Sequence, residues 1–92
     1  MATIHIKRNH GLDKKHIREE VEQLAEKLSN ELSINYKWED KDRLIFERTG
    51  AKGFIAIGKE DIELEIKLNL MLTPLKGHIE KSISSYLDER FA

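Results

Sequence analysis

The chain contains no cysteine. That absence excludes a disulfide framework, thiol catalysis and any metal site with cysteine ligands. It fits a reducing cytoplasm. The chain also lacks an excess of either charge. Its 16 Lys and Arg stand against 17 Asp and Glu, a net charge of −1 over 92 residues. Nucleic-acid binders carry a basic patch or stripe; none is evident here, so no nucleic-acid partner is expected. Long hydrophobic runs are missing as well. The most apolar stretch, LNLML at 68–72, is far short of the roughly 20 residues of a membrane helix. The opening MATIHIKRNH has no apolar core of a secretory signal. The expected setting is cytoplasmic, with no membrane span.

Recognisable reaction motifs are equally scarce. His5, His10, His16 and His78 form no helical pair at metal-ligand spacing and no H-E-x-x-H. They read as structural or solvated groups. RTGAKG at 48–53 lacks the spacing and following helix of a phosphate loop, and reads as a glycine-containing hairpin turn. Ser82, Ser84 and Ser85 have no recognisable His or Asp partner, so nucleophilic catalysis has no support. No catalytic residue, metal or cofactor is assigned.

What the chain does have is periodicity. In DIELEIKLNL, residues 61–70, Ile62, Leu64, Ile66, Leu68 and Leu70 alternate with polar residues. This is a strand with one dry face. TIHIK near the N-terminus alternates in the same way. NYKWED, RLIFERT and GFIAIG are further strands, joined by short turn-like segments, as in an antiparallel meander. Between the first strand and the meander, Ile17, Val21, Leu24, Ala25, Leu28 and Leu32 recur at three and four, the stripe of an amphipathic helix. Asp13 is its expected N-cap, with Leu12 and Ile17 as a hydrophobic staple. Glu19, Glu22, Gln23, Glu26 and Asn30 fall on its other side. A second helix is expected over 73–92, with Thr73 as cap, Pro74 at the first position, and Leu75, Ile79, Ile83, Tyr86 and Leu87 as stripe.

The order is β-α-β-β-β-β-α within one domain, residues 1–92. The fold class is α+β: a two-layer sandwich with a mostly antiparallel sheet and both helices on one face. A chain of this length supports one core and no more. Strand parity puts Ile45 on the outer face, in a small apolar spot among charges. Such a spot can serve a partner or a homodimer. Arg8, Asn9, His10 and Asp13 lie close in sequence at the first strand-to-helix turn, a candidate small-anion site. Trp38 is a candidate lid over the core or over a pocket between helices and sheet. Such a pocket would make the chain a small-ligand binder or an enzyme.

Four segments together carry a resemblance. They are IHIKRNHGL at 4–12, the tryptophan of YKWED, FERTGAKGFIAI at 46–57, and LNLMLTPLKGHIEKSI at 68–83. With these the chain resembles the polyhydroxyalkanoic acid system proteins along nearly its whole length. The resemblance implies a bacterial accessory protein linked to polyhydroxyalkanoate, the storage polyester kept as cytoplasmic granules. A granule or a granule protein is then the implied partner. It carries over no reaction and no catalytic residue.

Overall fold

The computed structural model describes residues 2–91. Strand β1 (Ala2–Asn9) leads into helix α1 (Lys14–Leu32). Strands β2 (Asn35–Asp40), β3 (Arg43–Arg48), β4 (Ala51–Ile57) and β5 (Asp61–Leu68) follow. A 3-10 turn (Thr73–Leu75) then runs into helix α2 (Lys76–Arg90). The α+β order is the expected one. Sequence alone leaves the strand order open; it is β1-β5-β4-β3-β2. Every neighbouring pair is antiparallel, so the sheet is wholly so. β1 and β2 form its two edges, and α1 carries the chain from one edge to the other.

The period-two pattern decides which face is dry. Ile62, Leu64, Ile66 and Leu68 of β5 are all buried, as are Ile4 and Ile6 on β1 and Ile55 and Ile57 on β4. Cross-strand register places Ile4 beside Ile66 and Ile55 beside Leu64, so the buried side chains form continuous rows. Both helices cover this face. The α1 stripe from Ile17 to Leu28 and the α2 residues Ile79, Ile83 and Leu87 join the strands in one core. α1 packs over β2 and β4, whereas α2 packs over β1.

Helix α1 is closed at both ends by side chains. Asp13 Oδ1 accepts from the His16 backbone N–H at 2.8 Å, the expected N-cap. Ser33 ends the helix in a left-handed conformation, φ 55°. The Arg48 guanidinium donates to the Leu32 carbonyl there, placing a cation at the negative end of the helix dipole.

Strand parity stops at Leu68. The Asn69 N–H donates to the Gly50 carbonyl at 2.9 Å, and the Asn69 carbonyl accepts from Leu72 N at 3.2 Å and Thr73 N at 3.0 Å. A tight turn replaces the pleat. Leu70, expected on the dry side, is therefore 76% exposed. Thr73 is not the helix cap. Its hydroxyl donates to the Asn69 carbonyl at 2.9 Å, and α2 starts without a side-chain cap. Leu75 lies on the 3-10 turn, where three residues per turn break the α-helical phase. It is 41% exposed rather than part of the stripe.

Two glycines predict opposite outcomes. Gly53 faces the helices between Phe46 and Ile66. A Cβ there would lie 2.2 Å from the Glu65 carbonyl oxygen and 2.9 Å from the Ile66 Cα. Gly53→Ala should destabilise the fold by about 1–3 kcal/mol through overpacking. Gly77, near the start of α2, has no atom within 4 Å of a Cβ. Gly77→Ala should stabilise by about 0.5–1 kcal/mol. Urea unfolding of both variants checks the signs.

Candidate functional site

The cluster Arg8, His10 and Asp13 does not assemble into one site. Arg8 pairs across the helix-facing side with Asp88 of α2. His10 is 7% exposed. Its Nδ1 accepts from the Leu12 N–H at 3.0 Å, so its Nε2 carries the proton and donates to the Gly58 carbonyl at 3.2 Å. Asp13 is occupied as the cap and also meets His16 Nδ1 at 2.8 Å. Each of the three is held by a different internal partner, and the turn is tied rather than open to an anion.

Trp38 sits at the β2 edge beneath α1. Its indole Nε1–H donates to Glu22 Oε1 at 2.7 Å, and the Tyr36 hydroxyl donates to the other carboxylate oxygen at 2.5 Å. The Arg18 guanidinium lies 4.4 Å from the indole centroid. Tyr36 and Trp38 share a face because they are two apart on a strand. Glu22 thus bolts the edge strand to the helix. Sequence periodicity had assigned Glu22 to the outer side of α1. The missed signal lay in β2: a partly buried Tyr and Trp each need a polar partner for their O–H and N–H. An open groove runs along this seam, with Lys14, Lys15, Glu19, Trp38 and Lys41 among its walls.

The space between the layers is filled. A void of about 10 Å³ lies beneath Leu72 and Ile79, room for a single water at most. The outer sheet face is largely charged. His5 Nε2 meets Glu63 Oε2 at 2.6 Å and Lys7 meets Asp61 at 3.5 Å. Ile45 lies on this face as expected, directly across from Phe54. Both are half-buried, and the Arg43 guanidinium stands 4.2 Å over the Phe54 ring. The apolar spot is present but small and partly covered.

The larger exposed apolar group is elsewhere, in the turn between β5 and α2. Leu70 is 76% and Met71 80% exposed, and Leu75 adds a third side chain. The turn is tied by hydrogen bonds. Asn69 supports it through main chain and side chain, its Oδ1 accepting from Leu72 N at 3.1 Å. Leu72 folds inward over Gly50, where a Cβ would sit 3.0 Å from both Leu72 Cδ1 and Asn69 Nδ2. Gly50 itself has φ +89°, which favours glycine. The signals for this turn are Asn69 and the Thr-Pro pair at 73–74, residues that break strands.

Among the described residues, no three His, Asp or Glu side chains group as a metal site. Nor, among these residues, is any helix long and apolar enough to cross a membrane. The fold and its surfaces define a small two-layer α+β protein. The chain matches, over residues 4–91, the family described as "Putative polyhydroxyalkanoic acid system protein", and it belongs to that family. No curated protein and no solved structure matches it.

The Glu22 junction gives a pH prediction. Hydrogen bonds from Tyr36, then Trp38, hold the Glu22 carboxyl below the usual range. The bond to Glu22, aided by burial, pushes the Tyr36 phenol up to about 12. A lowered carboxyl pKa adds stability that is present above the unfolded value of about 4.3 and is lost as pH falls through the folded value. Acidifying below about pH 4.3 should therefore loosen the β2 edge, with a change in Trp38 fluorescence. Glu22→Gln should remove this acid-dependent component. It should also return Tyr36 ionisation towards its ordinary value near 10, read by ultraviolet titration.

Proposed function

We propose that this single-domain chain is a non-catalytic accessory protein of polyhydroxyalkanoate metabolism. It works in the bacterial cytoplasm at the boundary between the polyester granule and water. The reading is carried by one observation: two large apolar side chains, Leu70 and Met71, stand almost fully in water on a hydrogen-bonded turn. Leaving a side chain of this size exposed forgoes about 1.5–3 kcal/mol of burial energy. A flexible loop could fold such residues back. Here the hydrogen bonds of Asn69 to Gly50, Leu72 and Thr73 hold the backbone on either side of the two residues. An apolar polymer surface offers the missing burial without demanding a shaped pocket.

Membership of a family described as a polyhydroxyalkanoic acid system protein supports the polyester link. The outer spot around Ile45 and Phe54 is a second contact at most, because the Arg43 guanidinium already lies over the Phe54 ring. For a small-ligand reading, the void beneath Leu72 and Ile79 is too small, and the open groove beside Trp38 is the space that remains.

Co-sedimentation with native polyhydroxyalkanoate granules tests the proposal, with light scattering to record the protein's oligomeric mass. Wild type should bind saturably. Leu70→Ser with Met71→Ser should lower affinity at least about tenfold, since more than 1.4 kcal/mol of burial is removed. Ile45→Glu should change it little. Full binding by the double variant and loss with Ile45→Glu would move the contact to the sheet face. A stable dimer whose formation hides Leu70 and Met71 would replace the granule by a second copy of the chain.

A further inference from the structure

The apolar turn sits inside a cationic region. The chain has 17 acidic residues, yet residues 48–59 and 66–79 contain none. The turn lies within the second of these segments. The fold brings the start of the first beside it: Asn69 N–H bonds to the Gly50 carbonyl, and Lys52 pairs with Lys67 across β4 and β5. Around Leu70 and Met71 the chain therefore supplies Lys52, Lys67, Lys76 and His78. Lys52, Lys67 and His78 are exposed. Arg48 is turned to the Leu32 carbonyl and does not count among them. The nearest acidic residues are Glu47, across from Lys52, Glu65, two residues before Lys67 on the same face of β5, Glu80, beyond the first turn of α2, and Glu31 of α1, whose carboxyl is lowered by its hydrogen bond from Lys27 and in smaller part by the charge of His78. The N-terminus of α2 opens here without a side-chain cap, adding the positive end of a helix dipole.

An apolar tip within a collar of cations has a specific physical meaning. The tip enters a non-polar phase, and the collar stays at its surface among charged groups. A bare polymer surface would use the tip alone. Lysines flanking an inserting segment draw it to anionic headgroups, with each cation adding to the attraction. On the basis of the granule reading above, we infer that the turn binds a boundary coated with anionic lipid. Leu70 and Met71 enter the acyl layer, and Lys52, Lys67 and Lys76 meet the headgroups. Neither component is sufficient. The leucine and methionine supply depth, while the lysines select the charge of the surface.

Vesicle flotation tests this. One population is pure phosphatidylcholine and the other an equimolar mixture of phosphatidylcholine and phosphatidylglycerol. Wild type should bind the anionic vesicles at least about tenfold more tightly, and added salt should weaken the binding. Lys67→Gln with Lys76→Gln should lose about thirtyfold at low salt, and Lys67→Gln alone should lose part of that. Leu70→Ser with Met71→Ser should abolish flotation. Lys59→Gln, in the turn between β4 and β5, should leave it unchanged. Circular dichroism confirms that each variant is folded. Equal binding to both vesicle types would overturn the role of the collar. Granule binding without vesicle binding would overturn the lipid inference and leave the granule reading standing. Failure on both surfaces would end both.

Discussion

The pairing of β1 with β5 is the constraint on which the rest of this fold depends. It joins the N-terminal strand to the last one in an unbroken antiparallel register from Ala2–Leu68 to Asn9–Asp61. Closing so long a loop costs entropy, and the rows of Ile4, Ile6, Ile62, Leu64 and Ile66 offset it by leaving water together. Once that pair is set, β1 is an edge and the meander extends away from it. The chain must then cross the sheet to begin β2 at the far edge, and α1 is that crossing. Each edge strand is fixed by one helix. Asp88 of α2 holds Arg8 on β1, and Glu22 of α1 holds Tyr36 and Trp38 on β2.

Most of this was legible in the sequence because only one face of each element is buried. A period of two in β5 and of three to four in α1 sorts residues onto faces without knowledge of the neighbours. The element order, the shared helix face and the Asp13 cap all follow from it. Strand order does not, because parity is blind to which strand lies alongside. Periodicity fails where the backbone leaves its period. Leu70 looked like one more step of the strand, but the hydrogen bonds of Asn69 end the pleat one residue earlier. Leu75 looked like the first step of a helical stripe, but it sits on a 3-10 turn.

Legibility of the candidate sites was poorer, for a related reason. Arg8, His10 and Asp13 are close in sequence, and adjacency suggested convergence. Their partners come from elsewhere in the chain: Asp88, Gly58 and the first turn of α1. Side chains at a strand-to-helix turn point in different directions, so closeness along the chain does not imply a shared site. Ile45 was placed on the correct face, yet register, which parity cannot supply, sets Phe54 beside it and brings Arg43 over the spot. Glu22 was assigned to water because a helical wheel counts only the helix. The two donors that claim it belong to a strand.

The residues that escaped the periodic reading are also the ones that carry the proposed function. A side chain that obeys the sheet's parity is committed to the core or to the charged outer face. Leu70 and Met71 are free of both commitments because the turn suspends parity. Asn69 and Gly50 keep them there with bonds that do not involve the leucine and methionine side chains. The tip can therefore change without disturbing the core, while loss of Asn69 or Gly50 would disturb both. Such a turn separates the recognition surface from the folding code, and it explains why large apolar residues can stand in water on a chain that otherwise sorts its side chains by face.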